Sequence, residues 1–60
     1  MYTMKKTAEL TGLSEHTLRY YDKEGLLPGL ARDGVGRRVF SEEDLFNIRT
    51  IRALREMGVP

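Results

Sequence analysis

Apolar positions recur along this chain in short clusters separated by glycine and proline, and their spacing sets out a small number of elements. Met4, Ala8 and either Leu10 or Thr11 share one side of a helix running from about Met4 to Thr11, with Thr3 as N-cap and Lys5, Lys6 and Glu9 in water. Tyr2 and Thr3 leave room for a short terminal strand. Gly12 can take positive φ at the end of that helix, and Ser14 opens the next at once. In the second helix Leu18 and Tyr21 point inward, while His16, Arg19, Tyr20 and Lys23 fall at i, i+3, i+4 and i+7 and share the opposite face. Glu15 suits the positive end of the helix dipole, Gly25 suits the left-handed stop, and Pro28 discourages continuation. Leu26 and Leu27 then return to the core, with Pro28 pushing Leu27 towards extended backbone.

The turn signals continue. Asp33-Gly34 and Gly36 lie between short apolar pairs, which predicts a β-hairpin with 30–32 paired to 38–40. Arg32, Arg37 and Arg38 cluster at its glycine-rich end with no core to serve, so they are expected to face outward. Ser41 as N-cap with Asp44 three residues on forms a capping box for a third helix, about Glu42 to Met57. Leu45, Ile48, Ile51 and Leu54 form its apolar stripe, broadened by Phe46, Ala53 and Met57, while Arg49, Arg52 and Arg55 are expected on a solvated side. Gly58 supplies the stop and Pro60 follows as terminator. Two short helices joined by a tight glycine turn, then an arginine-bearing hairpin and a core helix, make a mainly α winged helix-turn-helix: three helices plus a small β-hairpin wing.

Composition narrows the chemistry chiefly by exclusion. Sixty residues make one small domain, and a chain of that size buries only roughly 60% of the surface its unfolded form exposes. With no cysteine and one histidine, neither a thiol nucleophile nor a zinc site can be assembled. Ser14 and Ser41 are used as caps and His16 has no orienting partner, so nothing argues for an enzyme, and no cofactor or metal is expected. No apolar run approaches the ~20 residues of a membrane span and no signal-peptide pattern opens the chain, so a soluble, intracellular, cytoplasmic protein is expected. The net charge is only +1, yet residues 1–40 carry seven Lys/Arg against five Asp/Glu, and residues 41–60 carry three against four. A weakly basic front part is compatible with nucleic acid without demanding it. Lys5 and Lys6, placed against the dipole of the first helix, fit either an ordinary solvated surface or a phosphate contact.

The residues themselves carry a resemblance. Thr17-Leu18-Arg19-Tyr20-Tyr21-Asp22-Lys23-Glu24-Gly25-Leu26-Leu27-Pro28 resembles the recognition-helix signature of the MerR family of transcriptional regulators. Arg32, Gly36, Arg38 and Phe40 followed by Ser41-Glu42-Glu43-Asp44-Leu45 are similar to that family's wing and third-helix entry, and Tyr2-Thr3-Met4 with Leu10-Thr11-Gly12-Leu13-Ser14 matches its start. The resemblance implies sequence-specific binding of double-stranded promoter DNA, with helix 14–24 in the major groove and hairpin 30–40 as wing, and with it a nucleoid-associated location. It also implies homodimers on a pseudo-palindromic element with a long spacer, distorted on induction so that RNA polymerase engages both promoter boxes.

Family contacts would fall on His16, Thr17, Arg19, Tyr20 and Tyr21 in the helix and on Arg37 and Arg38 in the wing. Lys23, Arg32 and Gly36 join them from the stripe and the hairpin. Arg19 suits a bidentate contact to guanine or a clamped phosphate, and the tyrosine hydroxyls suit phosphate oxygens. Tyr21 would divide itself between core packing and an outward hydroxyl. Two positions depart from the family pattern: Arg37 stands where tyrosine is common, and His16 where lysine or another polar residue is common. The family continues past the third helix with a further helical pair, a dimerisation helix and an effector domain, whereas this chain stops at Gly58-Val59-Pro60. The expectation is therefore a DNA-binding module or fragment, monomeric by itself, with dimerisation reserved for a full-length protein. An excisionase-like or architectural DNA-binding protein without inducer control, or a winged-helix protein-interaction module, stand as alternatives.

Overall fold

A computed structural model describes residues 1–58. In chain order the elements are β1 (Tyr2–Thr3), α1 (Met4–Thr11), α2 (Glu15–Lys23), β2 (Ala31–Arg32), β3 (Arg38–Phe40) and α3 (Glu42–Glu56). This is the winged helix-turn-helix that the apolar pattern predicts, with β1 as an addition to the wing. β3 lies centrally in an antiparallel sheet of order β1-β3-β2, with Tyr2 opposite Phe40 and Ala31 opposite Val39. Pairing on both sides leaves β3 without a free edge.

The helix ends follow their local chemistry. Thr3, Ser14 and Ser41 each have extended backbone, and each side-chain oxygen accepts the N–H three residues on. At Ser41 the box is closed, because Asp44 accepts the Ser41 N–H at 2.9 Å. α2 ends in a Schellman arrangement: Gly25 at φ 75° donates to the Asp22 carbonyl and Leu26 donates to that of Tyr21, both at 3.0 Å. Pro60 lies outside the described residues.

The buried apolar residues are Leu18 and Tyr21 of α2, Leu27, Phe40 of β3, and Leu45 and Ile48 of α3, and α1 joins the core through half-buried Met4 and Ala8. Burial departs from the apolar stripe in two places. In α1 it is Thr7 and Thr11 that are buried beside half-buried Met4 and Ala8, while Leu10 is exposed. A period of 3.6 places residues 4, 7, 8 and 11 on one side, and the small threonines fit where the helix lies close. The Thr11 hydroxyl donates to the Thr7 carbonyl at 2.8 Å, whereas the buried Thr7 hydroxyl has no partner. In α3 only Leu45 and Ile48 are buried, and Ile51 is packed against the core cluster that includes Ile48. Phe46 (69% exposed), Met57 (76%), Leu54 and Ala53 face outward, because α1 and β3 cover one side of the helix only.

The α3 arginines keep to the solvent side as expected, with Arg49 and Arg55 exposed and Arg52 partly so. They also serve the fold: Arg49 donates to the Leu10 carbonyl at 3.3 Å and Arg52 donates to that of Thr11. Both close carbonyls that the end of α1 leaves unpaired, and both place positive charge at its negative pole. Arg55 lies over the rings of Tyr20 and Tyr21, 5.9 and 5.6 Å from their centroids.

Candidate nucleic-acid interface

The helical stripe of α2 is exposed as a unit. His16, Arg19, Tyr20 and Lys23 line a shallow hollow of about 180 Å³. Glu15 and Arg19 stand one turn apart, 3.8 Å between their charged atoms, with about half of each side chain in solvent. Such an exposed pair costs little to break, so the guanidinium can be exchanged to another partner. Thr17 is half-buried and belongs to the cap: its N–H donates to Ser14 Oγ at 3.1 Å, and that hydroxyl donates to Thr17 Oγ1 at 3.0 Å. The Tyr21 ring is buried in the core (3% exposed), tilted against that of Tyr20 at 6.4 Å.

The wing is built on Asp33. Its Oδ1 accepts the N–H groups of Val35 and Arg37 at 3.0 and 2.9 Å, and its Oδ2 accepts Arg37 Nε at 3.0 Å. The backbone N–H of Arg37, above all, holds the Asp33 carboxyl below the usual carboxylate range. The left-handed residue of the turn is Gly36, at φ 86°, and not Gly34. Gly36 donates to the Asp33 carbonyl at 3.0 Å, and Asp33 donates to the Arg37 carbonyl at 2.8 Å, so the loop is a three-residue connection ending in a glycine bulge.

The arginines expected to point outward are in part engaged within the fold. Arg32 donates to the Gly36 carbonyl at 2.8 Å. Arg38 Nε donates to Asp22 Oδ2 at 2.7 Å, and only 16% of the Arg38 side chain is exposed. Arg37, by contrast, keeps 78% of its side chain in solvent while touching Asp33. Low net charge on a small surface makes such internal pairing easy, and composition gives no sign of it.

Between α2 and the wing lies a cleft of about 520 Å³, which Lys5, Arg19, Arg32, Arg37 and Arg38 line with only Glu15 and Asp33 as acids. The fold therefore brings Arg19, Arg32, Gly36, Arg37 and Arg38 to one cleft and His16, Tyr20 and Lys23 to the adjoining hollow, with Arg19 in both. Thr17 and Tyr21 line neither. Two participants were not singled out by the sequence reading. Asp22 pairs with the wing, and its only local signal is an acid among bases on the second helix. Arg55 reaches the tyrosines from α3, and no local pattern announces it. Among the described residues no group of three or more His, Cys, Asp or Glu could hold a metal ion. Nor is any described helix long and apolar enough to cross a membrane.

Comparison with known proteins gives consistent results. The model of the family described as MerR HTH family regulatory protein matches residues 2–60. An uncharacterized HTH-type transcriptional regulator of Haemophilus influenzae is 47% identical over 58 residues, covering 97% of this chain and 43% of that protein. The HTH-type regulator YyaN of Bacillus subtilis, also uncharacterized, is 42% identical over 59 residues, covering 98% and 43%. Among solved structures, HiNmlR, a MerR family regulator lacking the sensor domain and bound to promoter DNA, superposes with a TM-score of 0.94 at 46% identity. The match covers 98% of this chain and 45% of HiNmlR. The chain thus spans less than half the length of these relatives.

Proposed function

Because the chain belongs to the MerR family of helix-turn-helix regulatory proteins, we propose that it binds promoter DNA as the recognition domain of a transcription regulator. The likeness to HiNmlR, whose crystal structure is of the protein bound to promoter DNA, carries this reading. The exposed basic face agrees with it. α2 enters the major groove, with His16, Arg19, Tyr20 and Lys23 towards the duplex. Arg19 leaves Glu15 for a guanine edge or a phosphate, and Tyr20 donates its hydroxyl to a phosphate oxygen. The wing straddles the adjoining backbone: Arg37 supplies the freest charge, and the close approach of Gly36 lets the loop lie against the sugar-phosphate chain. Arg38 contributes through the terminal nitrogens that Asp22 leaves available, and Arg32, half of whose side chain is exposed, through the N–H groups that Gly36 and Asp22 leave open. Thr17 and Tyr21 act through the cap and the core that hold the stripe, with the Tyr21 hydroxyl as a further phosphate donor. For a full-length protein the reading extends to a cytoplasmic homodimer acting on RNA polymerase through the shape of the promoter.

Selection from a random duplex library by gel shift, followed by a salt titration, tests this. A selected sequence whose affinity falls linearly in log–log form with salt is expected. Affinity that does not change with salt contradicts it.

A further inference from the structure

Arg32 and Arg38 are direct partners across the β2–β3 ladder. Like charges at such a position repel, and strands of two and three residues have little pairing to hold against it. Asp22 removes the conflict from outside the sheet. Its Oδ2 accepts Arg38 Nε at 2.7 Å and lies 3.9 Å from Arg32 Nη2. The Asp22 side chain is only 23% exposed, so solvent and salt screen this carboxylate less than an open surface acid. No Cα of α2 comes within 8 Å of a Cα of β2 or β3. Among the described residues, Asp22 makes the only ion pairs that join α2 to the wing.

We propose that Asp22 is a positioning residue for DNA binding. It draws the cross-strand arginine pair onto the recognition helix and so fixes the distance and angle at which helix and wing meet a duplex, without itself touching the DNA. The proposal rests on the DNA-binding reading above. It also runs against the simplest electrostatic expectation. Asp22 is an acid on a basic face, and on charge alone its removal strengthens attraction to a polyanion. Positioning has the opposite sign: Phe40 keeps the base of β3 in the core with Leu18 and Tyr21, but once the carboxylate is gone Arg32 and Arg38 repel, the outer part of the wing swings from α2, and the phosphate contacts it makes are lost.

The test uses the 60-residue chain, its Asp22→Asn and Asp22→Glu variants, and the duplex selected by the parent chain. Asp22→Asn is expected to bind roughly five- to thirty-fold more weakly at about 0.15 M salt, the loss of one or two phosphate contacts. Its log–log salt slope is expected to be shallower by roughly one to two, and Asp22→Glu is expected to recover most of both. Tighter binding with a steeper slope in Asp22→Asn overturns the proposal, because Asp22 would then be only a competitor of phosphate. Weaker binding with an unchanged slope overturns it too, because the defect would be one of stability. Residual dipolar couplings of the free chains supply an arm that needs no DNA. The wing amides of Asp22→Asn should lose their fixed orientation relative to α2, and an orientation equal to the parent's overturns the proposal. If the parent binds no duplex while the variant loses its orientation, the DNA-binding reading fails and the hold of Asp22 on the wing stands.

Discussion

Arg19 keeps its guanidinium 3.8 Å from Glu15 on an open face, whereas Arg52 spends its own on the Thr11 carbonyl at the end of α1. The same residue type therefore has two separable consequences. Arg19→Ala is expected to weaken duplex binding by about 1–3 kcal/mol with the melting temperature nearly unchanged. Arg52→Ala should lower the melting temperature by roughly 4–8 °C, the equivalent of about 1 kcal/mol of lost cap and dipole compensation, with a much smaller effect on affinity. Titration and thermal melts of both variants check this, and equal losses of affinity would sink the assigned face. Gly12 adds a second constraint at the same junction. Its φ is 76°, and a Cβ there would lie 2.6 Å from Arg52 Nη1, so Gly12→Ala should cost about 1–2 kcal/mol in a melt. The sequence showed the face of Arg19, because helical spacing is local. It could not show the partner of Arg52, because the carbonyl it closes belongs to a helix 41 residues earlier.

α3 and the wing show where local pattern stops being sufficient for an element. Both ends of α3 were legible from Ser41, Asp44 and Gly58, since capping is settled within a few residues. Its width of burial was not, since that depends on how many neighbours surround the helix. Ile48→Ala should therefore cost about 2–5 kcal/mol. Phe46→Ala, on the uncovered side, should stay within roughly 0.5 kcal/mol, and denaturant midpoints of the two variants distinguish them. In the wing, Arg32, Arg37 and Arg38 were legible as a cluster, but their internal partners Asp22 and Asp33 were not. Asp33 gives the wing a pH dependence whose sign follows from its hydrogen bonds. Its carboxyl is held low in the folded chain, so its contribution is fully present above the ordinary carboxylate range and disappears as pH falls through the folded value. Below about pH 4, the protection of the Val35 and Arg37 amides relative to intrinsic exchange should fall before that of α2 does. Simultaneous loss of protection in both would show that Asp33 does not hold the turn independently.

The size of the domain makes its stability and its ligand inseparable. Among the described residues only six apolar ones are buried, on α2, α3, β3 and the loop after α2, and the Cα radius of gyration is 11.0 Å. A core of this size leaves a margin of a few kcal/mol at most. A ligand that binds only the folded chain adds to that margin by mass action, about 2.7 kcal/mol at a hundredfold excess over Kd. For a domain this small the same gain amounts to roughly 10–20 °C of melting temperature. The duplex selected by the chain should therefore raise the melting temperature strongly. Unselected duplex at the same concentration should raise it less, and through phosphate attraction alone. The two contributions separate with salt, because non-specific attraction depends almost wholly on released counterions while base contacts do not. Raising salt from about 0.05 to 0.2 M should thus abolish the shift caused by unselected duplex and leave part of the shift caused by the selected one. Equal shifts from the selected and the unselected duplex at each salt would mean that the stripe of His16, Arg19, Tyr20 and Lys23 holds phosphate without reading bases, and the sequence-specific part of the proposed function would fall.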